Sequence, residues 1–221
     1  MEAEFWLVRW QRGETGFNQP SPHGALERHW HSLDLKPGAT VFVPLSGKSV
    51  DMCWLAERGY KVVAIELSAI AVREFFEERH MQPETQPFDT LTRYRAGPYC
   101  LWQGDIFDLT DEMLGAVDAI FDRAALIALP AAMRERYVRH LARLTHPGVP
   151  TLLVTLEYDQ TRMSGPPHSV LVNEVHRLYG ADHTIEELEC TDQLADMPRF
   201  RERGLDALTE RVYQLVRIER R

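Results

Sequence analysis

The chain has 221 residues, 44% hydrophobic and 26% charged, the balance of a soluble globular protein long enough to bury a large core. A formal net charge of −8 argues against nucleic acid or an anionic membrane surface as the main partner. No apolar run approaches the ~20 residues of a membrane span, and Cys53, Cys100 and Cys190, with no CxxC among them, read as reduced thiols of a cytoplasmic protein.

Met1-Glu2-Ala3-Glu4 is acidic where a secretory leader is basic, so no leader is expected. Phe5, Trp6, Val8 and Trp10 suit a packed helix over 3–11; a loop follows over 13–22, then a second helix over 23–34. Thr40-Val41-Phe42-Val43-Pro44 is a buried strand, and Ser49 is placed to cap a helix that Gly59 ends. A second strand over 61–66 leads to a helix over 69–80 capped by Ser68. Pro83, Pro87, Gly97 and Pro98 mark an irregular insertion over 81–98. Further strands are predicted over 99–103, 117–121 and 150–156, with a helix from Pro130 to 144 that turns Arg134, Arg136, Arg139 and Arg143 to solvent. After Gly165-Pro166-Pro167 comes a helix over 169–179, then two strands, 183–190 and 208–219, that alternate as antiparallel strands do. The expected fold class is α/β: a three-layer, doubly wound, seven-stranded, mostly parallel sheet with a C-terminal antiparallel hairpin. It is read as one domain over 1–221, with 1–35 as a helical lid.

Ligands of such sheets bind outside the carboxyl ends of the strands. After the first strand stands Leu45-Ser46-Gly47-Lys48-Ser49, where Gly47 permits close backbone approach to a ligand. Glu66 ends the second strand 19 residues later, near the ~20 at which an acidic group meets a ribose diol; the competing role is a backbone cap beside Ser68. Gly104-Asp105-Ile106 offers a carboxylate and a backbone amide to an adenine, or a capping Asp. Asp122-Arg123 at the end of the fourth strand suggests a ligand contact, or a structural ion pair. G-x-G-x-x-G is absent. Gly47-Lys48-Ser49 imitates the end of a P-loop, but Phe42 stands where that loop needs its first glycine.

Together these segments resemble the thiopurine S-methyltransferase family, in particular its bacterial members. The resemblance rests on Trp6-x-x-x-Trp10 with Gly16-Phe17-Asn18-Gln19, Val43 to Met52, Ala64-Ile65-Glu66-Leu67-Ser68, Asp105 to Leu109, Asp122-Arg123-Ala124-Ala125-Leu126, and Tyr158-Asp159 with Gly165-Pro166-Pro167. It implies methyl transfer from S-adenosylmethionine to the sulfur of an aromatic or heterocyclic thiol such as a thiopurine, and extends to selenium and tellurium species and so to metalloid detoxification and tellurite resistance. Carried over by position, Trp10, Leu45, Gly47, Glu66 and Arg123 are expected around the cofactor, with Asp105 and Ile106 at its adenine. Phe17, Arg123 and Arg177 are expected on the acceptor side. Ser46 departs from the family, which usually has cysteine there.

Methyl transfer from a sulfonium is an in-line displacement needing position and a dry site more than a general base. The sequence holds no nucleophile elbow, no HExxH and no metal-spaced cluster, so neither a catalytic base nor a metal is expected. A small-molecule thiol or selenol is the expected partner and a monomer the expected state. The alternative in another class is a non-catalytic protein that binds S-adenosylmethionine or sequesters a metalloid; phosphate transfer and nicotinamide chemistry are disfavoured by the first loop.

Overall fold

Val41, Phe42 and Val43 are buried on both sides, as a central strand of an α/β sheet requires. In the computed structural model, which describes residues 3–218, the chain divides into two compact units, 1–121 and 122–221.

The first unit opens with α1 (Ala3–Gln11) and α2 (Gly24–His29), the latter continued by a 3₁₀ turn over Trp30–Leu33. Then come β1 (Thr40–Val43), α3 (Asp51–Glu57), β2 (Lys61–Glu66), α4 (Ala69–Glu77), β3 (Glu84–Pro87), β4 (Thr92–Ala96), β5 (Tyr99–Gln103), α5 (Asp111–Leu114) and β6 (Ala119–Arg123), whose last residues enter the second unit. The strand order is β3-β4-β5-β2-β1-β6. β1 pairs in parallel with β2 on one side and with β6 on the other, and β2 pairs in parallel with β5. The order therefore reverses at β1, the point at which such sheets bind ligands.

The second unit holds α6 (Ala131–Leu144), β7 (Pro150–Glu157), α7 (Val172–Tyr179), β8 (His183–Asp192), α8 (Pro198–Glu202) and β9 (Thr209–Arg217). There β9 lies antiparallel between β7 and β8. The strands predicted from alternation are present, and the architecture is the expected α/β, Rossmann-like one with a C-terminal antiparallel pair; residue 219 of the last predicted strand lies outside the described residues.

Four expectations are corrected. The stretch 81–98 is not irregular: β3 and β4 form an antiparallel hairpin that adds to β5, making nine strands among the described residues rather than seven. β3 is exposed along its whole length, so it carries no apolar alternation to announce it. Helix α3 is capped at Val50 without a side-chain bond, while the Ser49 hydroxyl donates to Asp51 Oδ2 at 2.9 Å and accepts the Asp51 N–H at 3.2 Å. The predicted helix over 23–34 tightens into a 3₁₀ turn after His29. Finally, the arginines of α6 do not all face solvent: Arg134 is 2% exposed and donates to the Leu129 carbonyl and to Glu174 at 2.6 Å. Among the described residues no helix is long and apolar enough to cross a membrane.

Candidate active site

The parallel registers of β1, β2 and β5 set their carboxyl ends side by side, and backbone bonds tie the loops beyond them together. The Ser46 N–H donates to the Ile65 carbonyl at 3.0 Å, and the Gly104 N–H donates to the Glu66 carbonyl at 2.9 Å. Glu66 is the hub. It is 7% exposed; its Oε2 accepts the Gly47 N–H at 2.8 Å and its Oε1 accepts the Ser68 N–H at 2.8 Å. Burial raises the pKa of this carboxyl, and the backbone donors at Ser68, Gly47 and Leu67 oppose the rise. The capping role of Glu66 is realised here: the carboxylate braces the loops beyond β1 and β2.

Leu45 and Gly47 both have positive φ, +47° and +54°, so the β1 loop holds a backbone strain of the kind that gathers at ligand sites. A Cβ on Gly47 would lie 3.0 Å from Asn18 Oδ1 and 3.5 Å from Trp10, so the N-terminal segment already rests on the loop. Trp10 is buried, and Phe17 packs edge-on against it at 5.6 Å and against Trp6 at 5.5 Å. Lys48, the residue that imitates a P-loop lysine, is bound to Glu74 at 2.8 Å and to Glu78 at 2.5 Å, which is its task in this fold.

Beyond β5, Gly104 has φ +139° and a Cβ there would strike Leu91 at 2.4 Å, so only glycine suits the turn. Asp105 is exposed and its Oδ1 accepts the Phe107 N–H at 3.0 Å, capping the short 3₁₀ turn that follows, while Ile106 is buried. Gln103 Nε2 donates to the Leu67 carbonyl at 3.0 Å and stiffens the same edge. The structure therefore brings Trp10, Leu45, Gly47, Glu66, Asp105 and Ile106 to one edge of the first unit. A buried, backbone-held carboxylate is an acceptor of the kind that the ribose hydroxyls of a nucleoside cofactor need, so this donor and acceptor set is compatible with S-adenosylmethionine.

In the second unit β6 ends at Arg123, followed by Ala124 at φ +70°. Asp122 is fully buried; its Oδ2 accepts the Tyr137 hydroxyl at 2.7 Å and its Oδ1 the Leu126 N–H at 3.2 Å. Arg199 was not singled out from the sequence. Its pKa is lowered, first by partial desolvation and then by the positive charges of Arg123 and Arg203, so Arg123 and Arg199 are electrostatic neighbours. The signal was present as alternating arginines in Pro198-Arg199-Phe200-Arg201-Glu202-Arg203, but nothing local ties that run to Arg123. Arg177 stands on α7, 55% exposed, with Glu174 at 3.2 Å. The loop after β7 is braced internally: the Tyr158 hydroxyl donates to the Pro167 carbonyl at 2.5 Å, and the His168 N–H donates to the Ile127 carbonyl at 2.7 Å. Among the described residues no group of three or more His, Cys, Asp or Glu side chains is placed to hold a metal ion.

A Burkholderia thailandensis 1,6-didemethyltoxoflavin-N1-methyltransferase, solved with 1,6-didemethyltoxoflavin and S-adenosylhomocysteine, has the same fold: TM-score 0.63 over 98% of this chain and 87% of that one, at 15% identity. The fold is the Rossmann-like one of S-adenosylmethionine-dependent methyltransferases. The model of the family described as thiopurine S-methyltransferase (TPMT) matches residues 1–218. A thiopurine S-methyltransferase of Azotobacter vinelandii is 46% identical across 98% of this chain and 100% of its own length. One from Bordetella petrii is 45% identical across 98% and 99%. The chain belongs to the thiopurine S-methyltransferase family. It is an S-adenosylmethionine-dependent methyltransferase, and S-adenosylmethionine is its cofactor.

Proposed function

We propose that the chain methylates the sulfur of aromatic or heterocyclic thiols of the thiopurine kind, and that the same chemistry extends to selenium and tellurium nucleophiles and so to metalloid detoxification. The observation that carries this reading is the buried Glu66 carboxylate, which accepts the Gly47 N–H at 2.8 Å and the Ser68 N–H at 2.8 Å at the strand ends, in a chain whose family match runs over residues 1–218.

When bound, S-adenosylmethionine supplies an electrophilic methyl on a sulfonium. Glu66 would hold its ribose hydroxyls, Asp105 and the Ile106 amide its adenine, and the Leu45–Gly47 backbone its amino-acid end. Trp10 and Phe17 contribute an aromatic wall that excludes water and leaves the sulfonium's charge unscreened. Arg123, with Arg199, favours the ionised form of the acceptor and fixes its approach; Arg177 is assigned to the acceptor's wider electrostatic field. A thiol on an electron-poor ring ionises near neutral pH, so no side chain need take its proton. The reading treats 1–221 as one catalytic domain with residues 1–35 as its cap, of which residues 1 and 2 lie outside the described residues, and takes the protein to be a cytoplasmic monomer.

The test is calorimetric titration with S-adenosylmethionine and S-adenosylhomocysteine, followed by labelled methyl transfer to a panel of arylthiols, selenols and alkylthiols. Transfer favouring the more acidic thiols supports the reading. Transfer only to nitrogen or oxygen acceptors, or equal rates whatever the thiol's acidity, would sink it.

A further inference from the structure

Asp122 is 0% exposed and precedes Arg123 directly. A carboxylate in such a place is expensive unless every lone pair is used, and an apolar residue would pack there at less cost. Its bonds show where it acts. Oδ1 accepts the Leu126 N–H at 3.2 Å, the Ala125 N–H adds a further bond, and Oδ2 accepts the Tyr137 hydroxyl at 2.7 Å. These bonds close a turn over 122–126 around Ala124, whose φ of +70° is a conformation that a residue with a side chain adopts only when its surroundings impose it. Arg123 is carried on that turn. Tyr137 comes from α6 and Tyr179 from α7; the Tyr179 hydroxyl is buried without a hydrogen-bond partner and lies in the field of the carboxylate. With Arg123 on its own strand, these two phenols are titratable neighbours of Asp122.

We propose that Asp122 is a positioning residue for the acceptor step, a buried clamp that holds the 122–126 turn closed and so aims Arg123 at the acceptor. The proposal rests on the reading of Arg123 as an acceptor contact. Burial pushes the Asp122 carboxyl up to about 6, and protonation replaces an ion by a neutral group that accepts more weakly, so the clamp slackens in mild acid.

The experiment compares wild type with Arg123→Gln, Asp122→Asn and Tyr137→Phe, using an electron-poor arylthiol that stays ionised throughout the pH range. Acceptor KM, kcat and cofactor Kd are measured together, and folding is checked by thermal melting. Arg123→Gln and Asp122→Asn should each raise the acceptor KM about tenfold, and Tyr137→Phe by less, with cofactor Kd nearly unchanged. The wild-type acceptor KM should climb as pH falls through about 6, and the climb should be absent in Asp122→Asn. If Arg123→Gln raises KM while Asp122→Asn and Tyr137→Phe do not, the clamp is wrong and the acceptor reading stands. If Arg123→Gln leaves KM unchanged, the acceptor reading falls and the positioning role falls with it. Should Asp122→Asn fail to fold, Tyr137→Phe and the wild-type profile decide: an unmoved KM together with a flat profile overturns the proposal.

Discussion

Glu66 and Asp122 are both buried carboxylates held by backbone N–H groups at strand ends, and both are pushed toward the protonated form by desolvation. Glu66→Gln keeps the shape but turns an amide NH₂ toward Gly47 or Ser68, setting donor against donor. We expect it to weaken the cofactor by about tenfold to a hundredfold, roughly 1.4–2.7 kcal/mol, by calorimetry. For Asp122 the sign of the stability effect follows from linkage. Its carboxyl titrates at about 6 in the fold against 3.8 in the unfolded chain, so between those values the native state binds the extra proton. Its contribution to stability therefore rises as pH falls from about 7 to 4, and the charged form carries a penalty of at most about 3 kcal/mol near neutrality. Relative to wild type, Asp122→Asn should be most favoured near neutrality and lose that advantage toward pH ~4. Chemical denaturation at several pH values measures this, and a difference independent of pH would refute the assignment.

Among the elements, the β3–β4 hairpin shows how an exposed strand and its half-buried neighbour are held to a sheet. Phe88, in its turn, packs on Trp102 of β5 at 5.0 Å, and Arg93 lies over both rings at 5.1 and 5.7 Å. Trp102 is 1% exposed, so Trp102→Ala should destabilise by about 3–5 kcal/mol in urea unfolding, with the loss centred on β5 and the hairpin. The β1 loop is governed by conformation rather than burial. Gly47→Ala places a methyl against Asn18 Oδ1 at 3.0 Å in a positive-φ position, at a cost of roughly 1–2 kcal/mol. The N-terminal segment would have to lift, so cofactor affinity should fall in titration more than the melting temperature does. The helix start at Ser68, whose hydroxyl accepts the Ala71 N–H at 3.3 Å, was legible in the sequence because a cap is a local device. The hairpin was not, since Pro83, Pro87, Gly97 and Pro98 break the chain as strongly as a loop would, and β3 shows no buried face.

At the scale of the molecule, cofactor binding and folding are linked. S-adenosylhomocysteine at about 100 times its Kd should add roughly 2.7 kcal/mol to unfolding stability, seen as a concentration-dependent rise in melting temperature. A melting temperature that ignores it would contradict the fit of Glu66 and Gly47 to the cofactor. The strand and helix periodicities, the Leu45–Ser49 loop, the strand-end placement of Glu66 and Asp105, and the family are all legible along the chain, because each is written in neighbouring residues or in fixed spacings. Packing between elements set the rest: Lys48 is spent on Glu74 and Glu78, Arg134 is buried against Glu174, Asp122 bonds Tyr137, and the charge of Arg123 acts on Arg199. Each of these joins side chains from different elements, and charged groups carry no periodicity that says which will be buried together; their partners are set by how the elements pack.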